Sequence, residues 1–284
     1  MTVLHMYLWN DVLMNMETKM KTKIIAEVAS NHGGDIKLAK EFIRIAADVG
    51  IDYIKFQSWQ VSKLSKDDSQ YDWFKQSELK DAAHYELLEE CKKRNIIFLT
   101  TVFDTDRIEF LKGLGIDEIK VASPDLGSYR MLNLLKDNFK HIIVSTGMHY
   151  KEEIQKAADT LRGSNFTFMH CVSVYPTPPD KVNLAKMQWL KKFTHSVGYS
   201  DHTIGTEVVK FAISQGASYI EKHFCLGKYG PGRVMPWDAE PYQMEEIVKY
   251  AGMVHTLLGK DTGDLPEEEK DSRQRFIGRF GNYR

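Results

Sequence analysis

Eight short apolar segments, separated by longer amphipathic ones, recur along the chain from residue 23 onward. Each short segment is rich in Ile, Val or aromatic residues and has the length of a buried strand. These segments are 24–29, 53–57, 96–101, 119–122, 141–145, 166–170, 196–200 and 219–223. Between them apolar residues recur at helical spacing, as in 38–49, which Asp35 precedes in the N-cap position. Eight strand–helix repeats predict an α/β fold, a (β/α)8 TIM barrel, and an open doubly wound sheet is the alternative.

Charge and cysteine content exclude several classes of protein. The 38 Lys and Arg residues nearly balance 39 Asp and Glu residues, so no net positive charge attracts nucleic acid or an anionic membrane. Three widely spaced cysteines indicate neither a disulfide framework nor a C-x-x-C zinc site, which favours the cytoplasm. No segment reaches the roughly 18 apolar residues of a membrane span. We therefore divide the chain into an N-terminal extension (1–22), a barrel domain (23–260) and a polar C-terminal tail (261–284).

Polar side chains gather at the predicted C-terminal ends of the strands, which is where TIM barrels hold their active sites. In chain order they are Glu27, Asn31, His32, Lys55, Gln57, Thr100, Thr101, Lys120, Ser123, Ser145, His170, Ser173, Tyr175, Ser200, Asp201, His202, Glu221 and His223. Interior strand positions are normally apolar, so this concentration of polar residues predicts a functional site at one mouth of the barrel.

Lys55 and Lys120 are the most informative of these residues. A buried ammonium group is costly, and two of them in one barrel mouth repel each other unless an anion lies between them. The alternative is that each lysine pairs with a strand-end acid such as Glu27 or Glu221. Hydroxyl donors at the neighbouring strand ends suit a phosphoryl group and favour the anion site. They are Thr101, Ser123 and Ser145.

His202 and His223 predict a metal site. They follow the seventh and eighth predicted strands, which are neighbours in a closed barrel, so both imidazoles could bind one divalent ion. Asp201 is a candidate for orienting one of them. Because the sequence offers no obvious third protein ligand, the alternative is that the two histidines are ordinary packed residues.

Seven blocks of sequence resemble the sialic acid synthase family, which includes N-acetylneuraminate, legionaminate and pseudaminate synthases and spore-coat polysaccharide relatives. The blocks are IAEVASNHGGD (25–35), IKFQSW (54–59), KVASPD (120–125), STGM (145–148), HCVSVYPTP (170–178), GYSDHT (198–203) and EKHF (221–224). They occur in the family's order and span about residues 23–280.

The resemblance implies a TIM-barrel homodimer that condenses phosphoenolpyruvate with the aldehyde of an open-chain amino sugar such as N-acetylmannosamine. The products are a nine-carbon 2-keto-3-deoxy acid and phosphate. It also implies that His202 and His223 bind Mn or Mg, that Glu27 and Asp125 act near the reacting centre, and that Tyr175 lines the sugar site. The phosphoenolpyruvate ligands would be Lys55, Gln57, Thr101, Lys120, Ser123, Ser145, Ser173 and Ser200.

The sequence departs from the family pattern at several positions. Asp125 stands where Glu is usual, Ser173 where Asn is frequent, and Val234 where an aspartate is typical. Candidates to compensate for that aspartate are Arg233, Asp238 and Glu240. Family members commonly continue into a small antifreeze-like domain, and SRQRFIGR (272–279) resembles the linker that leads to it.

Two other functions remain open from the sequence. A Schiff-base aldolase with the same barrel would use Lys55 or Lys120 as its nucleophile. A non-catalytic barrel that binds a sugar phosphate is the third possibility, because the typical aspartate is replaced by Val234.

Overall fold

Eight parallel strands close into a barrel in sequence order in the structure, a computed structural model that describes residues 21–227, 230–259 and 263–281. The strands are β1 (Lys23–Ala29), β2 (Tyr53–Ser58), β3 (Ile97–Val102), β4 (Glu118–Val121), β5 (His141–Ser145), β6 (Phe166–His170), β7 (Ser196–Asp201) and β8 (Tyr219–His223). Because β8 pairs with β1, the (β/α)8 prediction is confirmed and the open sheet is excluded. Each predicted strand agrees with the observed one to within one residue at either end.

The helices are α1 (Ile36–Val49), α2 (Tyr71–Ser77), α3 (Asp81–Arg94), α4 (Arg107–Gly113), α5 (Tyr129–Asn138), α6 (Lys151–Thr160), α7 (Ala185–Leu190), α8 (Glu207–Ser214), α9 (Pro241–Leu258) and α10 (Lys270–Phe276). Helices α1 to α9 surround the barrel, whereas α10 buries no residue. The predicted N-cap is confirmed, since the Asp35 side chain accepts hydrogen bonds from the backbone N–H groups of Lys37 and Leu38. The large apolar core lies between these helices and the outward faces of the strands.

A single apolar layer fills the middle of the barrel: Ile25, Tyr53, Leu99, Ile143, Met169 and Tyr219. Side chains two positions apart on a strand share a face, so each of these residues is followed by one that points into the barrel mouth. Those residues are Glu27, Lys55, Thr101, Ser145, Cys171 and Glu221. The alternation of the strands thus places a polar layer directly above an apolar one.

A second polar layer closes the opposite end of the barrel. Glu118 accepts a hydrogen bond from the Tyr53 hydroxyl at 2.9 Å and lies 2.7 Å from His141 Nδ1. The other ring nitrogen of His141 lies 2.9 Å from Thr167 Oγ1, which donates to Ser196 Oγ. These mutual hydrogen bonds satisfy the polar groups at the base of the barrel.

The segments outside the barrel add little packing. Residues 1–20 of the predicted N-terminal extension lie outside the described residues. In the predicted tail, residues 263–281 are exposed, although Lys270–Phe276 form α10. Within the described ranges, no helix is both long and apolar enough to cross a membrane.

Candidate active site

A cavity of about 540 Å³ opens at the C-terminal mouth of the barrel. Of the thirteen predicted site residues, twelve line it: Glu27, Lys55, Gln57, Thr101, Lys120, Ser123, Ser145, Ser173, Tyr175, Ser200, His202 and His223. They converge from the ends of all eight strands and the loops that follow them, because the carboxyl ends of parallel strands meet at one end of a barrel.

Asp125 is the one predicted site residue that does not line the cavity. It ends a 3-10 turn, Ser123–Asp125, that directly follows β4. Its neighbours Ser123 and Pro124 face the cavity, and partial burial raises the pKa of Asp125 to about 6. The structure therefore places Asp125 beside the site and not in its wall.

Lys55 on β2 is held by two carboxylates, one on β1 and one on β8. Its ammonium lies 2.5 Å from a Glu27 oxygen and 3.6 Å from a Glu221 oxygen, and it donates to Thr101 Oγ1 at 2.9 Å. All of these side chains are buried. The pKa of Lys55 is raised because the two carboxylates outweigh the desolvation that opposes its charge.

Lys120 reaches the same layer from β4. It donates to Ser145 Oγ at 2.6 Å and to the Val121 carbonyl at 3.0 Å, and it lies 4.0 Å from Glu221. Burial lowers the pKa of Lys120, since its carboxylate partner is more distant than those of Lys55. Of the two alternatives for the lysines, the structure shows the pairing with Glu27 and Glu221. The bound anion stays a prediction.

Glu221 is a site residue that the sequence analysis treated only as a possible ion-pair partner. It lies between the two lysines and accepts a hydrogen bond from Ser200 Oγ at 2.8 Å. Although desolvation opposes its charge, Lys120 and Lys55 lower the pKa of Glu221 to about 2. The signal was present in the sequence, since Glu221 and His223 are two positions apart on one strand and share its inward face.

The pKa of Glu27 shifts upward, whereas that of Glu221 in the same layer shifts downward. Burial raises the pKa of Glu27 to about 7, which the attraction of Lys55 only partly offsets. Gln57 donates to its other oxygen at 3.2 Å. One carboxylate of the layer is therefore firmly ionised, whereas the other can gain or lose a proton near neutral pH.

Small donors form a cradle on the β4–β6 side of the cavity: Ser123, Gly147, Cys171 and Ser173. The Gly147 N–H donates to Ser123 Oγ at 3.1 Å, and that oxygen lies 3.0 Å from Cys171 Sγ. A methyl group on Gly147 would stand 2.4 Å from Ser173 Oγ, so glycine is required for this close approach. Hydroxyl and backbone N–H donors in such a cradle suit the oxygens of a phosphoryl group.

His202 and His223 lie side by side, with ring centroids 5.5 Å apart. The His202 Nδ1–H donates to the Val172 carbonyl at 2.9 Å, which leaves the Nε2 lone pair as the free ligand atom. Burial lowers the pKa of both histidines, so both are neutral imidazoles, the form that binds a metal. Among the described residues no three His, Cys, Asp or Glu side chains are grouped to hold an ion. The pair fits a divalent ion with two protein ligands and open positions.

The loop after β8 completes the cavity wall. Arg233, Met235 and Trp237 line the cavity, whereas Val234 does not. The Asp238 side chain is fully buried, with one oxygen accepting from Asn31 Nδ2 and the Met235 N–H, and the other lying 4.0 Å from His223 Nδ1. Of the three candidates to compensate for the typical aspartate, Arg233 therefore lines the cavity and Asp238 is buried near His223. The third, Glu240, caps the N-terminus of α9.

An aromatic group stands beside the histidines. The Tyr175 ring lies 4.1 Å from the His202 ring and 5.2 Å from that of Trp237, measured between centroids. Tyr175 is about half exposed and forms part of the rim of the cavity, and its contact with a sugar stays a prediction. Such rings pack against the C–H faces of small molecules.

The chain is similar to several known proteins. The NeuB family matches residues 42–263. The chain is 37% identical to N,N'-diacetyllegionaminic acid synthase of Campylobacter jejuni over 260 residues, which cover 84% of this chain and 78% of that protein. It is 28% identical to N-acetylneuraminate-9-phosphate synthase of Homo sapiens, over 85% of this chain and 72% of that protein.

A solved structure gives the same result at the level of the fold. The N-acetylneuraminic acid synthetase of Leptospira borgpetersenii superposes with a TM-score of 0.85 at 31% identity, over 92% of this chain and 94% of that one. The family match covers most of the chain and includes strands β2 to β8. The chain therefore belongs to the NeuB family and is an enzyme of the sialic acid synthase type.

Proposed function

We propose that this enzyme condenses phosphoenolpyruvate with the aldehyde of an open-chain amino sugar similar to N-acetylmannosamine. The products are a nine-carbon 2-keto-3-deoxy acid and phosphate. The observation that carries the proposal is the buried layer of Lys55, Lys120, Glu27 and Glu221 between a phosphoryl-type cradle and a pair of neutral imidazoles. The relatives named as legionaminic acid and N-acetylneuraminate-9-phosphate synthases support it.

The cradle and the lysines account for phosphoenolpyruvate binding. Lys120 and the donors around Gly147 would hold the phosphate on the β4–β6 side. Lys55, with Thr101 and Gln57, would bind the carboxylate nearer β2 and β3. Both sites are fixed by strand ends, so the substrate is oriented and its charge is matched before reaction.

His202 and His223 would hold a Mn or Mg ion, which when bound polarises the sugar aldehyde. His202 is already oriented for this role by its bond to the Val172 carbonyl. The Tyr175 and Trp237 rings next to the histidines would position the carbon chain of the sugar.

Bond formation joins C3 of the enol to the aldehyde carbon, and the aldehyde oxygen gains a proton. Water adds to the cationic C2, and the resulting tetrahedral carbon then releases phosphate. Glu27 can transfer the protons, because its pKa of about 7 makes both of its forms available near neutral pH. Glu221 stays ionised and stabilises positive charge that develops at C2. Asp125, outside the cavity wall, is the second candidate for proton transfer.

Phosphate release from phosphoenolpyruvate tests the proposal directly. We expect release only with an aldose of the N-acetylmannosamine type, and its loss on addition of a chelator. Release of pyruvate from a sugar acid, with borohydride trapping of Lys55 or Lys120, would replace the proposal by the Schiff-base aldolase. Tight binding of phosphoenolpyruvate without turnover across the aldose panel would replace it by a non-catalytic barrel. The homodimer and the cytoplasmic location stay predictions from the sequence.

A further inference from the structure

The geometry points to Arg233 as a specificity-determining residue for the sugar. We propose that its guanidinium binds an oxygen acceptor group on the aldose, remote from the reacting aldehyde. This inference rests on the proposed function, because it names the part of the second substrate that the cavity recognises.

The backbone of Arg233 is fixed against the loop that follows β1. Its N–H donates to the Asn31 carbonyl at 2.9 Å. The preceding Gly232 has a φ of +93°, and a Cβ there would stand 2.5 Å from the Asn31 carbonyl oxygen. Only glycine permits this approach, so the position of Arg233 is set by the chain around it.

The side chain of Arg233 has its own support. Its guanidinium carbon lies 5.0 Å from the centroid of the Trp73 ring, within the range of a cation–π contact. The Trp73 Nε1–H donates to Ser30 Oγ at 2.9 Å, which holds the ring in place. Arg233 and Trp73 both line the cavity, so a pre-oriented guanidinium faces the substrate space.

This guanidinium has no carboxylate partner. Across the described ranges, no Asp or Glu oxygen forms an ion pair with Arg233, and its side chain makes no hydrogen bond. Arg233 favours the charged form of Asp238 through space, but Asp238 Oδ2 accepts from Asn31 and Met235, and its Oδ1 lies 4.0 Å from His223 Nδ1. A partly buried guanidinium with five unused donors is suited to an acceptor that a ligand brings.

Arg233 lies across the barrel from the phosphoryl cradle. In the closed strand order β1 stands opposite β5, and the Arg233–Trp73 pair sits above β1 between the loops after β8 and β2. Lys120, Ser145 and the cradle belong to β4, β5 and β6. Phosphoenolpyruvate that extends from this cradle to Lys55 on β2 leaves the β8–β1 side of the mouth to the sugar, so Arg233 meets the sugar and not the phosphate of phosphoenolpyruvate.

Two groups on an amino sugar offer the required oxygen. One is the carbonyl of an acylamino group, and the other is a terminal phosphate ester, to which a guanidinium donates two parallel hydrogen bonds. Neutral sugars without either group supply only hydroxyls. A panel of mannose, N-acetylmannosamine and N-acetylmannosamine 6-phosphate therefore separates the two sources.

The test compares wild type, Arg233→Gln and Arg233→Lys by steady-state kinetics, with Arg162→Gln as the matched control on the exposed, opposite side of the barrel. For the aldose that carries the group, we expect KM to rise at least about tenfold in Arg233→Gln, while the KM of phosphoenolpyruvate stays within about twofold. If KM rises for both N-acetylated sugars and not for mannose, the acceptor is the acyl carbonyl. If KM rises only for the phosphorylated sugar, the acceptor is the phosphate ester.

Unchanged KM values for all three aldoses in Arg233→Gln would overturn the inference, and so would an equal rise for phosphoenolpyruvate and aldose. Absence of phosphate release by the wild type with every aldose would instead count against the proposed function. Calorimetric titration of each aldose into wild type and Arg233→Gln then decides the inference separately. Binding that Arg233→Gln weakens supports it, and equal or absent binding refutes it.

Discussion

The Lys55 ammonium lies 2.5 Å from a Glu27 carboxylate oxygen, and the two residues are register partners on β2 and β1. Glu221 and Lys120 add a second acid and a second base to the same layer. Two positive and two negative side chains thus balance each other before any substrate binds. An entering anion upsets this balance, and Glu27 is the member of the layer that can adjust.

We predict that phosphoenolpyruvate binding takes up a proton at Glu27. Glu27 already has a pKa of about 7, and a nearby anion raises the pKa of a carboxyl further. Affinity should therefore fall as pH rises above about 7, by up to tenfold per pH unit. Calorimetry at pH 7.5 in buffers of different ionisation enthalpy measures the uptake. Glu27→Gln should bind without it, and proton uptake that persists in this variant would contradict the assignment.

Lys120→Met should weaken phosphoenolpyruvate binding by at least about 100-fold, because it removes a buried cation and leaves Glu221 with Lys55 alone. Equilibrium titration of the ligand measures the loss, and circular dichroism checks that the barrel is intact. Lys112→Met, at an exposed position on α4, is the control and should bind normally. Wild-type affinity in a folded Lys120→Met variant would remove the lysine from the anion site.

Gly147→Ala should reduce phosphoenolpyruvate affinity by about tenfold or more while changing the melting temperature little. The added methyl would stand 2.4 Å from Ser173 Oγ and 2.9 Å from Ser123 Oγ, so it would displace the donors of the cradle. Gly252→Ala is the matched control, since a Cβ there meets no atom within 4 Å and α9 gains helix propensity. Equal affinities in the two variants would argue against the cradle.

His223→Ala should abolish high-affinity binding of Mn²⁺ by the protein. Only His202 would then remain of the imidazole pair, and a single ligand does not retain the ion. Electron paramagnetic resonance of free Mn²⁺ measures binding independently of turnover. His195→Ala, at an exposed position, serves as the control. Undiminished Mn²⁺ binding by His223→Ala would overturn the metal assignment.

Protein stability should fall as pH decreases from about 6.5 to about 4. Burial lowers the pKa of His32, His84 and His170 to about 4, so the unfolded chain binds protons that the native state cannot. Each histidine contributes at most about 3 kcal/mol across this window. Urea unfolding at several pH values measures the slope. His84→Leu should flatten it, and an unaltered slope relative to His195→Leu would disprove the role of His84.

The fold and most of the site followed from local patterns. Side chains alternate between the two faces of a strand, so assigning Lys55 and His223 to the barrel mouth also assigns the other residues on the same faces. Twelve predicted residues accordingly line the cavity. Asp125 is the exception, because a 3-10 turn, which the strand pattern does not predict, places it beside the cavity wall.

Other features could not be read from neighbouring residues. Cys171 is not among the predicted site residues, although it stands two positions after Met169 on the inward face and lines the cavity. The contact of Arg233 with Trp73 joins two loops that are distant in sequence, and it depends on how closely Gly232 approaches Asn31. No periodicity predicts such a contact, because it is set by tertiary packing.

The apolar layer formed by Ile25, Tyr53, Leu99, Ile143, Met169 and Tyr219 is one side chain deep, with hydrogen-bonded networks on either side of it. This layer closes the barrel between its base and its mouth. Tyr53 and Tyr219 separate solvent at the base from the cavity, which opens at the mouth. In the reaction that we propose, the water that adds to C2 would therefore enter through the mouth, between the loops that surround it.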